Sequence, residues 1–142
     1  MSEVVARLTA GAASAFAGEP VAFAYLFGSQ ATGRARARSD VDVAVMLTGV
    51  VSPTEFLQRS LRLAGELEAV AGVGPVEALV VLNEAPLPLA GRIRRERIVL
   101  YSADEPARVR YESQIARLFH DFQVHADPRD RARLRAIAAE DW

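Results

Sequence analysis

The chain contains no cysteine and no lysine among its 142 residues. Without cysteine there can be no disulfide and no thiolate metal site, so any metal ligand must be carboxylate, hydroxyl, amide or imidazole. Without lysine, a phosphate group must be met by arginine or by backbone N–H groups. All 17 basic residues are therefore arginine, a usage that, with the abundant alanine, reads as coding bias of a GC-rich genome. They stand against 18 acidic residues, for a net charge of −1. That balance supplies no field to attract nucleic acid and no extended basic channel to track it, so nucleic-acid binding is not expected. No run approaches the roughly 18 apolar residues of a membrane span. The N-terminal stretch carries Glu3, Arg7 and Glu19 and lacks a basic start followed by a continuous apolar segment, so no signal peptide is expected. A cytoplasmic bacterial or archaeal protein is the expectation.

The length fits one domain over residues 1–142, large enough to bury roughly 68–70% of its unfolded surface. Hydrophobic residues at 51% and charged residues at 25% are those of an ordinary globular protein. Glu3 to Phe16 reads as a helix closed near Gly18 and Pro20. VAFAYLF, residues 21–27, is a short apolar run bounded by Pro20 and Gly28, and reads as a buried strand. Residues 28–39 form a polar, arginine-rich turn region, and Val41 to Leu47 a second strand. Ser52 and Pro53 open a helix with Glu55 completing a capping box, and Leu57, Leu61, Ala64, Leu67 and Ala71 recur along it at helical spacing. Val76 to Leu82 is predicted as a third strand, Pro86 to Arg95 as a helix and Ile98 to Tyr101 as a fourth strand. Beyond Asp104 a long helix carries Tyr111, Ile115, Leu118 and Phe122 on one face. Asp127 and Pro128 break it, and a short charged helix that could move as a tail runs to Trp142. The result is an α/β arrangement with a small mixed sheet of about four strands and helices packed on it.

The chemistry concentrates in FGSQATGRARARSDVDVAVML, Phe27 to Leu47. Asp40 and Asp42 are two apart at the start of a strand, which turns both carboxylates to one face. Two hard oxygen ligands together suit Mg²⁺, which is commonly held by one or two carboxylates plus substrate phosphates. A carboxylate at position 42, one step inside a valine-rich strand, is expensive to bury without such a purpose. The Gly28–Ser29 turn offers backbone N–H groups and a hydroxyl where a ligand can approach closely. Together these residues point to a grip on a metal–nucleoside triphosphate. Arg34, Arg36 and Arg38 alternate between the two half-motifs; each is more often a solvated loop residue, while Arg38 is carried forward as the candidate phosphate clamp. The cluster Arg92, Arg94, Arg95 and Arg97 reads as a solvated helix end. His120 and His125 have no partners at ligand spacing and read as structural or surface residues.

A Gly-Ser pair followed at a distance by Asp-x-Asp resembles the signature of the polymerase β-like nucleotidyltransferases. With the small size and the LNEAP segment at residues 82–86, the chain is most similar to the minimal nucleotidyltransferases (MNT proteins) found beside HEPN-domain partners in prokaryotic toxin–antitoxin pairs. The resemblance implies the polymerase β-like fold, with Mg²⁺ as cofactor and ATP as substrate. It gives Ser29 and nearby N–H groups the nucleotide phosphates, and Gly33 a loop that folds back over them. It also implies a third carboxylate, as in two-metal phosphoryl-transfer sites; Glu77 is the acid near the third strand, and the interior of that strand has none. The implied activity is transfer of AMP from ATP to a hydroxyl, a tyrosine of a HEPN-type toxin, with this chain as antitoxin. A lapsed enzyme that neutralises its toxin by contact, or an adenylyltransferase for a small molecule such as an aminoglycoside, would share the same motif.

Overall fold

In the computed structural model, residues 2–34, 40–49, 52–76, 79–125 and Ala136 are described. The expectations for Arg36, Arg38, Glu77 and the tail beyond Asp127 (Ala136 apart) fall outside them. Helix α1 (Glu3–Phe16) is capped by Ser2, whose hydroxyl accepts the Val5 N–H at 3.1 Å. Strand β1 (Val21–Phe27) is buried along its whole length, which is why its sequence is a continuous apolar run rather than an alternating one. A one-turn helix α2 (Ser29–Thr32) follows, and then β2 (Asp42–Leu47). The long α3 (Pro53–Ala71) starts where the sequence signals it, with the Ser52 hydroxyl accepting the Glu55 N–H at 3.2 Å. Strand β3 (Val80–Val81), a 3₁₀ turn (Leu82–Glu84), α4 (Leu87–Glu96), β4 (Ile98–Ser102) and α5 (Glu105–His125) complete the described chain.

The sheet order is β3-β2-β1-β4. β1 pairs antiparallel with β2 and β4, and β2 pairs parallel with β3, so the sheet is mixed as expected. Side chains of β1 divide between the faces with the two-residue period of a strand. Ala24 and Leu26 join Leu8, Phe16, Leu63 and Leu67 under α1 and α3. Phe23, Tyr25 and Phe27 join Leu89 and Ile93 of α4 on the other face. α1 and α3 cross closely because position 11 has no side chain: a Cβ on Gly11 would stand 2.8 Å from the Ala71 Cβ. No helix among the described residues is long and apolar enough to cross a membrane.

Three local expectations are corrected. The third strand, expected over Val76–Leu82, is among the described residues a ladder of Val80–Val81, ended by the 3₁₀ turn that starts at Leu82. The Asn83 carboxamide takes over the pairing there, accepting the Leu47 N–H and donating to the Leu47 carbonyl, both at 2.9 Å. The stretch between the half-motifs, expected as irregular, contains α2. The apolar stripe of α5 also splits: Ile115 is buried, whereas Leu118 and Phe122 are 43% and 41% exposed.

Beside Tyr111 and Ile115, α5 also buries a glutamate. Glu112, 9% exposed, accepts the Tyr25 hydroxyl at 2.7 Å, pairs with Arg97 at 2.6 Å and is also bonded by Arg108. Burial, and then the bond to Glu112, push the Tyr25 hydroxyl well above its usual 10.0. Burial alone would raise the Glu112 carboxyl; the Tyr25, Arg97 and Arg108 contacts outweigh it and hold that carboxyl below its usual 4.5. Phe23 packs between the rings of Tyr25 and Tyr111, at 5.4 and 5.6 Å between centroids, and completes the seam.

Candidate active site

Where the chain leaves β1, it meets the start of β2. Phe27 is in register with Asp42, so the first residue of β2 stands beside the turn that begins at Gly28. Gly28 has φ +74° and ψ −159°, a region essentially reserved for glycine. A Cβ there would lie 2.2 Å from Oδ2 of Asp42. The Asp42 carboxylate is thus packed against the backbone that carries Ser29.

Gly28→Ala should therefore act twice, through backbone strain of about 1–3 kcal/mol and by displacing the Asp42 carboxylate. Gly33, at φ +77°, closes α2, and a Cβ on it would meet nothing within 4 Å. Gly33→Ala should cost only about 1–2 kcal/mol of left-handed strain. The expected pattern is a lowered melting temperature for both variants, with loss of Mg-nucleotide binding for Gly28→Ala and a smaller weakening for Gly33→Ala. Calorimetric titration alongside thermal melts reads both.

From Gly28 the chain makes the single turn of α2. The Thr32 hydroxyl donates back to the Gly28 carbonyl at 3.2 Å, and the Arg34 N–H to the Ser29 carbonyl at 3.0 Å, so the loop is closed on itself. Ser29 is half-buried at its start. Asp40 is exposed just ahead of β2, Val41 between the two aspartates is 3% exposed, and Asp42 is half-buried. Strand period gives the Asp42 side chain the Phe27 face of the sheet, away from the face that Val43 shares with α1 and α3, and Asp40 precedes the strand. Their donors are hard oxygens, the type Mg²⁺ takes, and the missing Cβ at Gly28 is the space that lets one of them sit against the loop. The structure places the Asp42 carboxylate against Gly28, with Asp40 exposed two residues ahead of it.

Among the described residues no group of three or more His, Cys, Asp or Glu converges on a common point. Glu77, expected as the third carboxylate, lies outside the described residues, as does Arg38. The backbone on either side runs along β2: the Val41 N–H donates to the Pro75 carbonyl at 3.1 Å, and Val80 and Val81 pair with Ala44 and Val45.

The arginine cluster of α4 is not the solvated helix end it resembles in sequence. Arg92 is 1% exposed, with its guanidinium 6.0 Å from the centroid of the Phe27 ring. Its Nε is 3.2 Å from Oε1 of Glu96, one helical turn on. The Glu96 side chain, 7% exposed, also accepts the Gly28 N–H at 3.1 Å and stands 3.7 Å from the Arg34 guanidinium. Arg97 turns away to Glu112, and only Arg95 of the cluster is fully exposed. The sequence signal for Arg92 and Glu96 was their spacing of four beside Leu89 and Ile93, which puts an ion pair on the apolar side of the helix. His120 is exposed, in line with its expected surface role.

Comparison with known proteins agrees with this geometry. The family model described as polymerase beta, nucleotidyltransferase matches residues 13–106. No curated protein sequence matches the chain. Among solved structures, a chain of a toxin–antitoxin complex with AMP-PNP aligns over 92% of this chain and 98% of its own length, at TM-score 0.66 and 18% identity. A chain of an MntA–HepT toxin–antitoxin complex aligns over 93% of this chain and 97% of its own, at TM-score 0.61 and 16% identity. A chain of the tri-AMPylated HEPN toxin of Shewanella oneidensis in complex with its MNT antitoxin aligns over 84% and 85%, at TM-score 0.55 and 18% identity. At these identities the likeness is one of fold.

Proposed function

The chain belongs to the polymerase β nucleotidyltransferase family, and from that premise we propose that it transfers AMP from ATP to a tyrosine hydroxyl of a HEPN-type toxin, acting as its antitoxin. The observation that carries the reading is the Asp42 carboxylate packed on the Gly28 backbone at the mouth of β1 and β2. The likeness to complexes containing AMP-PNP and an AMPylated HEPN toxin supports the choice of nucleotide and partner.

Asp40 and Asp42 would hold Mg²⁺, with Glu77 as the third carboxylate of a two-metal site. Bound there, the metal supplies neutralisation of the triphosphate's charge and a lowered barrier to attack at phosphorus. The chain's own part is positioning and electrostatics. The Ser29 hydroxyl and the backbone N–H groups at the start of α2 hold the β- and γ-phosphates, the N–H groups of Gly28, Ala31, Thr32, Gly33 and Arg34 being bonded within the protein. Gly33 lets the loop close over them, and Arg38 meets the remaining charge. The acceptor oxygen forms its bond to the α-phosphorus as the bond to the β-phosphate bridging oxygen breaks. Pyrophosphate leaves, and the hydroxyl proton passes to Glu77 or to water.

The test is intact-mass analysis of a HEPN-domain partner incubated with this protein, Mg²⁺ and ATP. The partner is expected to gain the mass of one or more adenylyl groups, and to gain none with Asp42→Ala. If the two proteins co-purify with no mass change, neutralisation by contact replaces transfer.

A further inference from the structure

The loop assigned to the triphosphate is held from outside by α4. Its first residue, Gly28, adopts a φ of +74° that glycine reaches freely, and so permissive a residue needs an outside contact to hold one conformation. Glu96 supplies such a contact, its Oε1 accepting the Gly28 N–H at 3.1 Å. The other carboxylate oxygen faces the far end of the same loop, 3.7 Å from Nη2 of Arg34, while the Arg34 Nε donates to the Thr32 hydroxyl at 3.1 Å. One side chain thus spans the loop from its first residue to its last.

Electrostatics make a glutamate an odd occupant here. A carboxylate beside a polyphosphate site has the wrong sign, and burying it is costly unless it is paired and hydrogen-bonded. Arg92 provides that pairing on the inner side and Arg34 on the outer, so two guanidinium groups and one carboxylate leave the trio with one positive charge. An apolar side chain would fill the same volume at less cost. What it could not do is accept the Gly28 N–H. Glu96 itself sits on a firm base, since Ile93 and Arg92 are each 1% exposed and Arg92 lies beneath Phe27, the last residue of β1.

We propose that Glu96 is the positioning residue of the nucleotide grip. Its buried carboxylate, braced by Arg92, fixes the Gly28–Arg34 loop in the form that presents Ser29 at the start of α2 to a triphosphate. This rests on the nucleotide-binding reading above and adds to it a residue that does not touch the nucleotide.

The experiment pairs the affinity for Mg-AMP-PNP, by calorimetry, with amide hydrogen exchange over residues 28–34. Three variants are compared with the wild type. Arg92→Met/Glu96→Leu removes the whole buried pair and keeps its volume, so it should fold and melt close to wild type. It should bind about tenfold or more weakly, with faster exchange across the loop. Glu96→Gln keeps an acceptor for the Gly28 N–H and should recover most of that loss, to within about threefold of wild type. Arg34→Ala, an exposed change that cannot unfold the protein, should speed exchange only at the far end of the loop. A double variant that binds as tightly as wild type, or loop exchange that is the same in all four proteins, overturns the proposal. Wild-type protein that fails to bind Mg-AMP-PNP overturns the nucleotidyltransferase reading itself. A wild type that binds beside an equally tight double variant sinks the role of Glu96 alone.

Discussion

Asp42→Asn is expected to cut AMP transfer by about 10²–10³-fold, the scale seen when one preorganised electrostatic group is lost at a reaction centre. The substitution keeps the shape and removes the charge, so the β1–β2 register at Phe27 and Asp42 should survive. The melting temperature without nucleotide should stay within about 4 °C of wild type. The two readouts together matter. Asp42 begins a strand that is hydrogen-bonded to the central strand of the sheet, and its carboxylate rests on the Gly28 backbone. It cannot be replaced from a distance, because no neighbouring side chain can swing into a position that β1 and β2 define. Asp40 is exposed and two residues ahead of the strand's first residue, so Asp40→Asn should cost less than Asp42→Asn under the same assay. Equal activity of Asp42→Asn and wild type would remove the site from Asp42 and with it the proposed chemistry.

Why these residues could be read from sequence, and others could not, follows from where their partners lie. Gly28 and Asp42 lie at facing ends of two paired strands, β1 and β2, and their proximity follows from that register. The α3 start was legible because Ser52, Pro53 and Glu55 act within one turn. Arg92 and Glu96 depend on a partner near residue 28, and their composition argues for the opposite of burial. The α5 stripe is half right, and more instructive. Tyr111 and Ile115 turn to the protein, Leu118 and Phe122 do not, and Arg108 and Glu112 share the inward side. The charged pair is accepted there because Tyr25 and Arg97 wait with a hydroxyl and a guanidinium. Apolar patterning has no means of registering a core position filled by a satisfied charge.

That buried charge leads to the largest stability effect expected in the molecule. Glu112→Ala leaves Arg97, Arg108 and the Tyr25 hydroxyl facing one another without the carboxylate that joins them, and breaking a buried pair by removing one partner costs about 3–5 kcal/mol. Against a total stability of about 5–15 kcal/mol this is a large share, and the melting temperature should fall by about 10 °C or more. Tyr25→Phe, which keeps the ring against Phe23 and removes only the donor, should cost about 0.5–3 kcal/mol. The sign of the pH dependence follows from the same contacts. The Glu112 carboxyl lies below its usual 4.5, so its contribution is fully present above that value and is lost as pH falls through the depressed one. Glu105, bonded by Arg108 and by Ser102, is held down to about 2 and adds to the same acid limb. Wild-type melting temperature should therefore decline as pH drops below 4.5, and the decline should be shallower in Glu112→Ala because its largest buried contributor is already gone. Melting curves followed by circular dichroism across that range decide the point. Identical acid limbs in the two proteins would mean that α5 is held to the sheet by its aromatic seam and not by the charge at its centre.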